Sequence, residues 1–296
     1  MSIMSDIPLV YVVVLTYNHC QDTLQAIESL SRMTYPNYKL LIADNQSIDG
    51  TVGIVRKKYP NVEILVHPSN LGFAAGINPG LQHALDHGAD FILAINNDVL
   101  VAPYMLTDLV RVMKPNIGAS APMIYYLDDP ERIWSIGFSK HVLLLEMRGG
   151  ARGQIDRGQW QTPFEVDYLL GCAILLSSSM LRDIGLFDER YFFYYEDLDL
   201  SLRARQRGYR LLTVPQAKMW HKGAGSSGVG SAFRTYQMAR GSVIFFRSHA
   251  CGLQRPASFL FRAGSALKAS LRFLLSKQSH LLRHHWQGLW DGWQIS

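Results

Sequence analysis

The stretch that most constrains the fold is residues 91–99, which read FILAINNDV. Its five consecutive apolar residues are typical of a strand buried on both faces, as in the middle of a parallel sheet. The run ends at Asn96, Asn97 and Asp98, and open α/β sheets bind their ligands at the carboxyl ends of such strands. A carboxylate flanked by amide oxygens there suits a hard divalent cation, while a cap on the next helix is the structural alternative for Asp98.

Strand-like and helix-like hydrophobic patterns alternate through the first hundred residues. Buried strands are predicted at residues 9–15, 38–43, 62–66 and 91–95, with helices and short connections between them. This alternation predicts an α/β fold with a mainly parallel sheet and right-handed crossover connections.

Polar residues follow three of these strands at the point where each strand ends. They are Thr16 and Asn18 after the first strand, Asp44 and Asn45 after the second, and residues 96–98 after the fourth. Because the carboxyl ends of neighbouring parallel strands meet at one edge of a sheet, we expect these groups to converge on a nucleotide site. The first strand is followed neither by a Gly-x-Gly-x-x-Gly turn nor by a Walker loop, which weighs against a dinucleotide-binding domain.

A cluster of acidic residues stands in the other half of the chain. Residues 191–195 are all aromatic, and Glu196, Asp197 and Asp199 follow them at the start of a predicted helix. The helix dipole favours acidic residues in a first turn, which is a sufficient structural explanation for them. Apolar rings beside a carboxylate also raise its pKa, and a raised pKa suits a general base.

His221 ends a later strand pattern and is followed by the glycine-rich residues 222–230. A histidine at a strand end is more often structural than a metal ligand, and the pattern alone leaves both roles open. The glycine-rich segment has the composition of a loop that closes over a bound substrate.

The composition, with 48% hydrophobic and 18% charged residues, is that of an ordinary globular protein. The three cysteines, Cys20, Cys172 and Cys251, have neither paired nor metal-ligand spacing, which predicts a reducing compartment. The apolar residues 7–15 lack a basic leader, so they are predicted to form the first strand and not a signal peptide. No stretch approaches ~20 uncharged apolar residues, so we expect a cytoplasmic protein, either free or peripheral on a membrane surface.

The charge of the chain is concentrated near its C-terminus. Residues 231–296 hold nine Lys or Arg residues and one acid, a net charge of +8 against +5 for the whole sequence. Leucines, phenylalanines and three tryptophans are interleaved with these basic residues, and the pattern is helical. One interpretation is a helix packed on the preceding domain; the other, which we favour, is a basic amphipathic extension lying on an anionic membrane.

The ordered motifs of the chain resemble those of the family 2 glycosyltransferases, and most closely of their rhamnosyltransferase-like branch. Together they run from residue 9 to about residue 250, and residues 240–247 (RGSVIFFR) and 288–292 (GLWDG) are looser matches. The motifs are 12–18 (VVVLTYN), 43–51 (ADNQSIDGT), 70–76 (NLGFAAG), 96–99 (NNDV), 171–173 (GCA), 185–189 (GLFDE), 195–199 (YEDLD) and 221–223 (HKG).

The resemblance implies a GT-A fold, a nucleotide-diphosphate sugar as donor, and Mg²⁺ or Mn²⁺ as cofactor. It implies that residues 96–98 are the family's metal-binding DXD element with asparagines in its leading positions. Asp98 would then bind the metal, with His221 as a further ligand, and Asp197 would be the catalytic base supported by Glu196. The donor-binding residues that it implies are Thr16, Asn18, Asp44, Asn45, Asn70, Gly72, Asn96 and Asn97.

For this branch the resemblance implies an inverting transfer of L-rhamnose from dTDP-L-rhamnose, with a UDP-sugar as the alternative donor. The expected acceptor is a glycan or lipid-linked glycan of a surface polysaccharide, which agrees with a tail on an anionic membrane. The corresponding domain organisation is a catalytic domain at residues 1–230, divided into a nucleotide-binding half at 1–100 and an acceptor half at 101–230. A basic helical extension follows at 231–296.

Two other functions are weighed against this one. A sugar-1-phosphate nucleotidyltransferase is discounted because residues 16–22 contain no glycine-rich basic loop. A module that only binds membranes or nucleic acid is compatible with the basic tail. The presence of Asp98 and Asp197 argues against that module, and nucleic acid is not an expected partner.

Overall fold

The first hundred residues form the alternating strands and helices that their hydrophobic pattern predicts. They are seen in a computed structural model that describes residues 7–223 and 231–295. The elements of this half are β1 (Val10–Thr16), α1 (Cys20–Leu30), β2 (Tyr38–Asp44), α2 (Thr51–Lys58), β3 (Glu63–Val66), α3 (Ala74–Asp86) and β4 (Phe91–Asn96).

The second half has shorter strands and a long irregular region between residues 127 and 163. Its elements are β5 (Val99–Val101), α4 (Met105–Arg111), β6 (Ile117–Tyr126), β7 (Ile133–Ser135), β8 (Ser139–Lys140), β9 (Met147–Arg148), β10 (Phe164–Val166), β11 (Ala173–Ser177), α5 (Ser178–Ile184), α6 (Glu196–Gln206) and β12 (Arg210–His221).

One mixed sheet joins the two halves, in the order β10-β12-β6-β11-β4-β1-β2-β3. β1 pairs in parallel with both β2 and β4, and β2 pairs in parallel with β3, so the predicted parallel sheet is confirmed in the first half. β11 lies antiparallel between β4 and β6 and connects the halves. The mixed α/β sheet with flanking helices agrees with the predicted fold class.

Both faces of the central strands are covered, which explains their uninterrupted apolar sequence. On one face Ile77 and Leu81 of α3 pack with Ile92 of β4. On the other face Ile27 of α1 packs with Leu93 of the same strand. All of these side chains are fully buried, so the carboxyl ends of β1, β2 and β4 are held by a close-packed core.

The C-terminal residues form three helices, as their pattern predicts: α7 (Ala232–His249), α8 (Gln254–Leu275) and α9 (Ser279–Gln294). α7 packs against the rest of the chain through a cluster in which Phe245 meets Leu198 of α6 and Tyr168. α9 lies close against α7, because a Cβ on Gly288 would stand 2.4 Å from the Tyr236 carbonyl oxygen. Within the described residues we find no helix with the length and apolarity that crossing a membrane requires.

Candidate active site

The carboxyl ends of β1, β2 and β4 lie side by side, as the sequence predicts. Thr16 is in register with Asp44 across the β1–β2 pair, and Leu15 is in register with Asn96 across β1–β4. The Asn97 side-chain amide donates hydrogen bonds to Thr16 Oγ1 at 3.0 Å and to Thr23 Oγ1 at 2.9 Å. Three strand ends therefore form one polar crevice, and Thr23 of α1 is a member that sequence reasoning missed.

Asp44 and Asn45, at the carboxyl end of β2, each hold a buried oxygen without a hydrogen-bond donor among the described residues. Asp44 is fully buried, and its Oδ1 accepts a hydrogen bond from the Ser47 backbone N–H at 2.9 Å. The Asn45 side-chain amide donates to the Gly72 carbonyl at 2.7 Å. Among the described residues, neither Asp44 Oδ2 nor Asn45 Oδ1 has a hydrogen-bond partner. A buried acceptor without a donor is costly, so both oxygens are suited to a ligand that supplies N–H or O–H groups.

Asn18 holds the loops that follow β1 and β2 together. Its backbone N–H donates to Ser47 Oγ at 2.7 Å, and its side-chain oxygen accepts from the Ile48 N–H at 2.9 Å. The residue has a φ of 56°, in the left-handed region that asparagine tolerates better than most residues. Asn18 therefore shapes the rim of the crevice, and its predicted role in donor binding stays a prediction.

Asn70 and Gly72 build a turn that touches the second half of the chain, at Phe192. Asn70 Oδ1 accepts from the Gly72 N–H at 3.0 Å, and the next N–H, of Phe73, donates to the Phe192 carbonyl at 2.7 Å. Gly72 has a φ of +80°, and a Cβ there would stand 2.3 Å from the Phe192 oxygen. The two residues thus have a structural role at the junction between the halves, and their role in donor binding stays a prediction.

Asp98 and His221 are brought together from distant parts of the sequence. β5 pairs with β12 so that Val99 is in register with His221, and the Lys222 N–H donates to the Asp98 carbonyl at 3.0 Å. His221 Nε2 then lies 3.2 Å from Asp98 Oδ1. Burial alone would raise the pKa of Asp98, but the hydrogen bond and charge of His221 outweigh burial and hold that pKa below its usual range. Asp98 is ionised at neutral pH.

The helix-cap alternative for Asp98 is wrong. The residue is followed by β5, and α4 begins only at Met105 after Tyr104 at its N-cap position. The short strand that intervenes pairs with β12, which explains why no helix starts here. Asp98 therefore caps no helix, and its carboxylate lies against His221 instead.

The Asp98–His221 pair fits a divalent metal only if a substrate completes the site. Apart from the Asp98 contact at Nε2, neither nitrogen of the buried His221 ring has a hydrogen-bond partner among the described residues, so a metal-ligand role is open to it. No group of three or more His, Cys, Asp or Glu residues that could hold a metal occurs in residues 7–223 or 231–295. Hard divalent cations take about six oxygen or nitrogen ligands, so phosphate oxygens or water would have to supply the rest.

Asp197 is held by backbone donors at the start of α6. Its Oδ2 accepts from the Gly171 N–H at 3.0 Å, and its Oδ1 accepts from the Leu198 N–H at 2.8 Å. The helix begins after Tyr194 and Tyr195, whose φ angles of 70° and 77° turn the chain sharply into it. Burial raises the pKa of Asp197, although the two N–H donors oppose that rise.

Glu196 is more deeply buried than Asp197 and is only 5% exposed. Its Oε2 has no hydrogen-bond partner among the described residues. Burial, and the negative charge of Asp197 beside it, raise the pKa of Glu196 well above its usual range. Glu196 therefore keeps its proton in preference to Asp197, and Asp197 is the carboxylate available to accept one.

A short segment, residues 171–172, connects the two carboxylate sites. The Gly171 N–H binds Asp197, while the Cys172 carbonyl accepts from the Asn96 N–H at 3.1 Å. Burial raises the pKa of the Cys172 thiol, and the negative charges of Asp98 and Asp197 raise it further, so both carboxylates lie close to this residue. The predicted functional groups of the two halves therefore lie around one region. Cys172 lies between them, a position that the sequence did not predict.

Part of the predicted closing segment lies outside the described residues. These exclude residues 224–230, and only Lys222 and Gly223 of the segment are seen. Lys222 Nζ lies 2.9 Å from Asp22 Oδ1 of α1. That ion pair places the start of the segment against the helix that follows β1.

Comparisons with known proteins agree with this architecture. Residues 11–181 match the family model described as glycosyl transferase family 2. The chain is 30% identical over 285 residues to an N-acetylglucosaminyl-diphospho-decaprenol L-rhamnosyltransferase of Mycobacterium tuberculosis, covering 88% of this chain and 91% of that protein. It is 23% identical over 248 residues to a dTDP-rhamnosyl transferase of Shigella flexneri, covering 81% of this chain and 80% of that protein.

A solved structure shows the same fold. The mannosyltransferase of Pyrobaculum calidifontis, determined in complex with GDP-mannose and Mn²⁺, superposes with a TM-score of 0.60 at 16% identity. The superposition covers 99% of this chain and 89% of that protein, and it confirms the predicted GT-A fold. With a family model that matches more than half of its length, this chain belongs to glycosyltransferase family 2 and is similar to the rhamnosyltransferases of that family.

Proposed function

We propose that this glycosyltransferase moves L-rhamnose from dTDP-L-rhamnose to a glycan acceptor, with inversion at the anomeric carbon. The observation that carries the proposal is the pairing of two kinds of carboxylate around residues 171–172. Asp98 lies beside His221 at the end of β4, and Asp197 is held by the Gly171 N–H at the start of α6. Asp98 suits a metal-bound diphosphate, and Asp197 suits an acceptor hydroxyl.

The nucleotide of the donor is proposed to lie in the crevice formed by β1 and β2. The buried oxygens of Asp44 and Asn45 that lack a partner would accept hydrogen bonds from the base and the ribose. Thr16, Asn18, Asn70, Gly72, Asn96 and Asn97 shape or line the same crevice. The dTDP-rhamnose donor is supported by the similarity to two rhamnosyltransferases, one of which is named for that nucleotide.

Mg²⁺ or Mn²⁺ is the proposed cofactor, held by Asp98 and His221 together with the donor. The likeness of fold to a mannosyltransferase determined with Mn²⁺ and a nucleotide sugar supports this assignment. When bound, the cation would offset the negative charge that grows on the departing diphosphate. Asp98 is suited to this role because a carboxylate is anionic at neutral pH and is an oxygen ligand of the kind that hard divalent cations prefer.

The transfer needs one base and no covalent intermediate. The acceptor hydroxyl oxygen forms a bond to the anomeric carbon while the bond from that carbon to the diphosphate breaks, and the hydroxyl proton passes to Asp197. The raised pKa of Asp197 makes it a better proton acceptor than an ordinary aspartate. Burial and the charge of Asp197 raise the pKa of Glu196 well above its usual range, which favours the protonated form of Glu196, so Glu196 would support Asp197 without adding a second negative charge.

The acceptor is proposed to be a lipid-linked glycan at a membrane surface. The tail has a net charge of +8, and α8 exposes large apolar side chains, among them Leu260 at 71% and Leu275 at 76%. Apolar residues interleaved with basic ones are typical of helices that lie on anionic bilayers. The relative from Mycobacterium tuberculosis is named for a diphospho-decaprenol acceptor, which agrees with a lipid-linked substrate.

The proposal is tested by incubating the protein with a panel of nucleotide sugars and Mn²⁺. We expect dTDP-L-rhamnose to bind most tightly and to be hydrolysed slowly in the absence of acceptor. NMR of the product formed with an acceptor should show the anomeric configuration inverted. Preference for a UDP-sugar would replace the donor assignment, and failure to bind any nucleotide sugar would overturn the proposed function.

A further inference from the structure

Helices α7, α8 and α9 enclose a groove that lies outside the nucleotide crevice. Its volume is about 920 Å³, at the upper end of the range of roughly 300–1,000 Å³ that is typical of small-molecule sites. The lining is mainly apolar, and Phe246, Leu267, Trp286, Trp290 and Trp293 supply much of it. Because the apolar surface is concave and of this size, it fits a single hydrocarbon chain better than it fits the flat surface of a bilayer.

Three arginines, Arg247, Arg255 and Arg262, also line the groove. The guanidinium of Arg247 donates to the carbonyls of Trp293 and Ile295, and that of Arg255 donates to the Ala250 carbonyl at 3.1 Å.

The charges of these arginines are only partly compensated. Arg262 lies 3.2 Å from Glu146 Oε1, whereas the hydrogen bonds described for Arg247 and Arg255 all go to neutral carbonyls. The groove therefore combines an apolar lining with positive charge that an anionic headgroup would complement.

One residue of the groove lining, Arg262, also contacts the turn that precedes α6, the helix that carries Asp197. The Arg262 guanidinium bonds to the hydroxyl of Tyr195, the residue that precedes Glu196, and opposes the rise that burial causes in the pKa of Tyr195. A Cβ on Gly241 of α7 would stand 2.9 Å from the Tyr194 carbonyl oxygen, so α7 packs directly against this turn. A molecule in the groove would thus lie behind the turn that positions the proposed base.

We propose that the groove binds the hydrocarbon chain of an isoprenoid diphosphate, the lipid of the acceptor, and that its arginines hold the diphosphate. This inference rests on the proposed function, because it names the part of the protein that recognises a lipid-linked acceptor. It separates two roles within the tail. The outward side chains of α8 contact the bilayer, while the groove between the helices selects one lipid.

The test uses farnesyl diphosphate as a short probe and the full chain as the protein. Trp286, Trp290 and Trp293 line the groove, so binding should shift the tryptophan emission to shorter wavelength in a saturable way. We expect farnesol to bind more weakly and inorganic diphosphate to leave the emission unchanged. An equal response to farnesol would contradict the role of the arginines in binding the diphosphate. The absence of a saturable response to farnesyl diphosphate would overturn the whole proposal.

Variants locate the site by equilibrium dialysis with labelled farnesyl diphosphate. Ala263→Trp fills the groove and should abolish saturable binding, whereas Leu275→Trp, on the same helix but outside the lining, should bind normally. Arg255→Gln should weaken binding about tenfold, as expected for a hydrogen bond to a charged group. Arg283→Gln removes an exposed arginine outside the lining and is its matched control. Equal effects of each variant and its control would contradict the proposal, and thermal unfolding shows whether each variant is folded.

Two further measurements distinguish lipid binding in the groove from general binding to a bilayer and from the proposed transferase function. Vesicles containing phosphatidylglycerol should still bind Ala263→Trp; parallel loss of vesicle and probe binding would mean that the groove is only part of a bilayer contact. Hydrolysis of dTDP-L-rhamnose by the unmodified protein tests the proposed function independently of lipid binding in the groove. Hydrolysis without binding of farnesyl diphosphate would support the proposed function and contradict the lipid site in the groove. The absence of both hydrolysis and donor binding would contradict the proposed function itself.

Discussion

His249 Nε2 of α7 lies 2.7 Å from Asp199 Oδ1 of α6, and both side chains are buried. Arg203 holds the other carboxylate oxygen, also at 2.7 Å. Asp199 stands two residues after Asp197, so this contact joins the C-terminal helices to the helix that carries the proposed base. The basic tail is therefore packed against the helix that carries the candidate catalytic residues, and it is also a candidate membrane surface.

Removing this contact should destabilise the whole protein. His249→Ala leaves one oxygen of a buried carboxylate without its partner, which costs about 1.5–3 kcal/mol of unfolding free energy. His280→Ala, which removes an exposed histidine of α9, should change the unfolding free energy little. Urea denaturation measures both. Equal midpoints for the two variants would show that the contact contributes nothing to stability.

Gly72 should tolerate no side chain. Its φ is +80°, and only 2.3 Å would separate an added Cβ from the Phe192 oxygen, so Gly72→Ala forces the two halves apart. We expect a loss of more than about 1 kcal/mol in unfolding free energy. Gly53→Ala is the matched control, because no atom within 4 Å would meet its Cβ and it lies inside α2. That control should be neutral or stabilising by up to about 1 kcal/mol.

Metal dependence should run through Asp98. Loss of a group that merely orients a metal ligand costs about 10- to 100-fold in metal affinity, so Asp98→Asn should weaken dTDP binding by at least that much when Mn²⁺ is present. In excess chelator the unmodified protein and the variant should bind dTDP equally. Calorimetric titration measures all four affinities. A difference in dTDP affinity that persists in chelator would assign Asp98 a role other than metal binding. Full transferase activity in chelator would contradict the proposed metal dependence.

Glu196 should make stability fall as pH rises. Its pKa is raised in the folded protein, so the folded state binds more protons than the unfolded state between the unfolded value, about 4.3, and the higher folded value. The stabilising contribution is complete below the lower value and is lost as pH rises through the higher one. Glu196→Gln, which imitates the protonated form, should therefore melt above the unmodified protein by a margin that grows with pH. A margin that shrinks as pH rises would reverse the assignment.

Much of the structure of the first hundred residues follows directly from the sequence. Residues 91–95 are apolar because β4 is covered on both faces, and local pattern is enough to detect such a strand. The polar residues at the ends of β1, β2 and β4 converge because parallel neighbours end at one edge, which is a rule of topology.

The second half of the fold could not be predicted without long-range information. The antiparallel insertion of β11 between β4 and β6 brings residue 172 beside Asp98, and the β5–β12 pair brings His221 there. Neither pairing has a local signal, because strand order depends on the packing of the whole sheet. The contact of His249 with Asp199 was missed for the same reason, since a basic tail indicates charge and not its docking site.

The most direct test of the account is the turnover of Asp197→Asn with dTDP-L-rhamnose, measured together with its donor affinity. The substitution preserves shape but removes the proton acceptor, so turnover should fall about 10²–10⁴-fold. Donor affinity should stay within about twofold, because Asp197 is proposed to act on the acceptor hydroxyl and not on the diphosphate. Asp128→Asn, an exposed control, should behave like the unmodified protein, whose rate should rise with pH through the raised pKa of Asp197. Near-normal turnover of Asp197→Asn, or a parallel loss of donor binding, would contradict its role as the base.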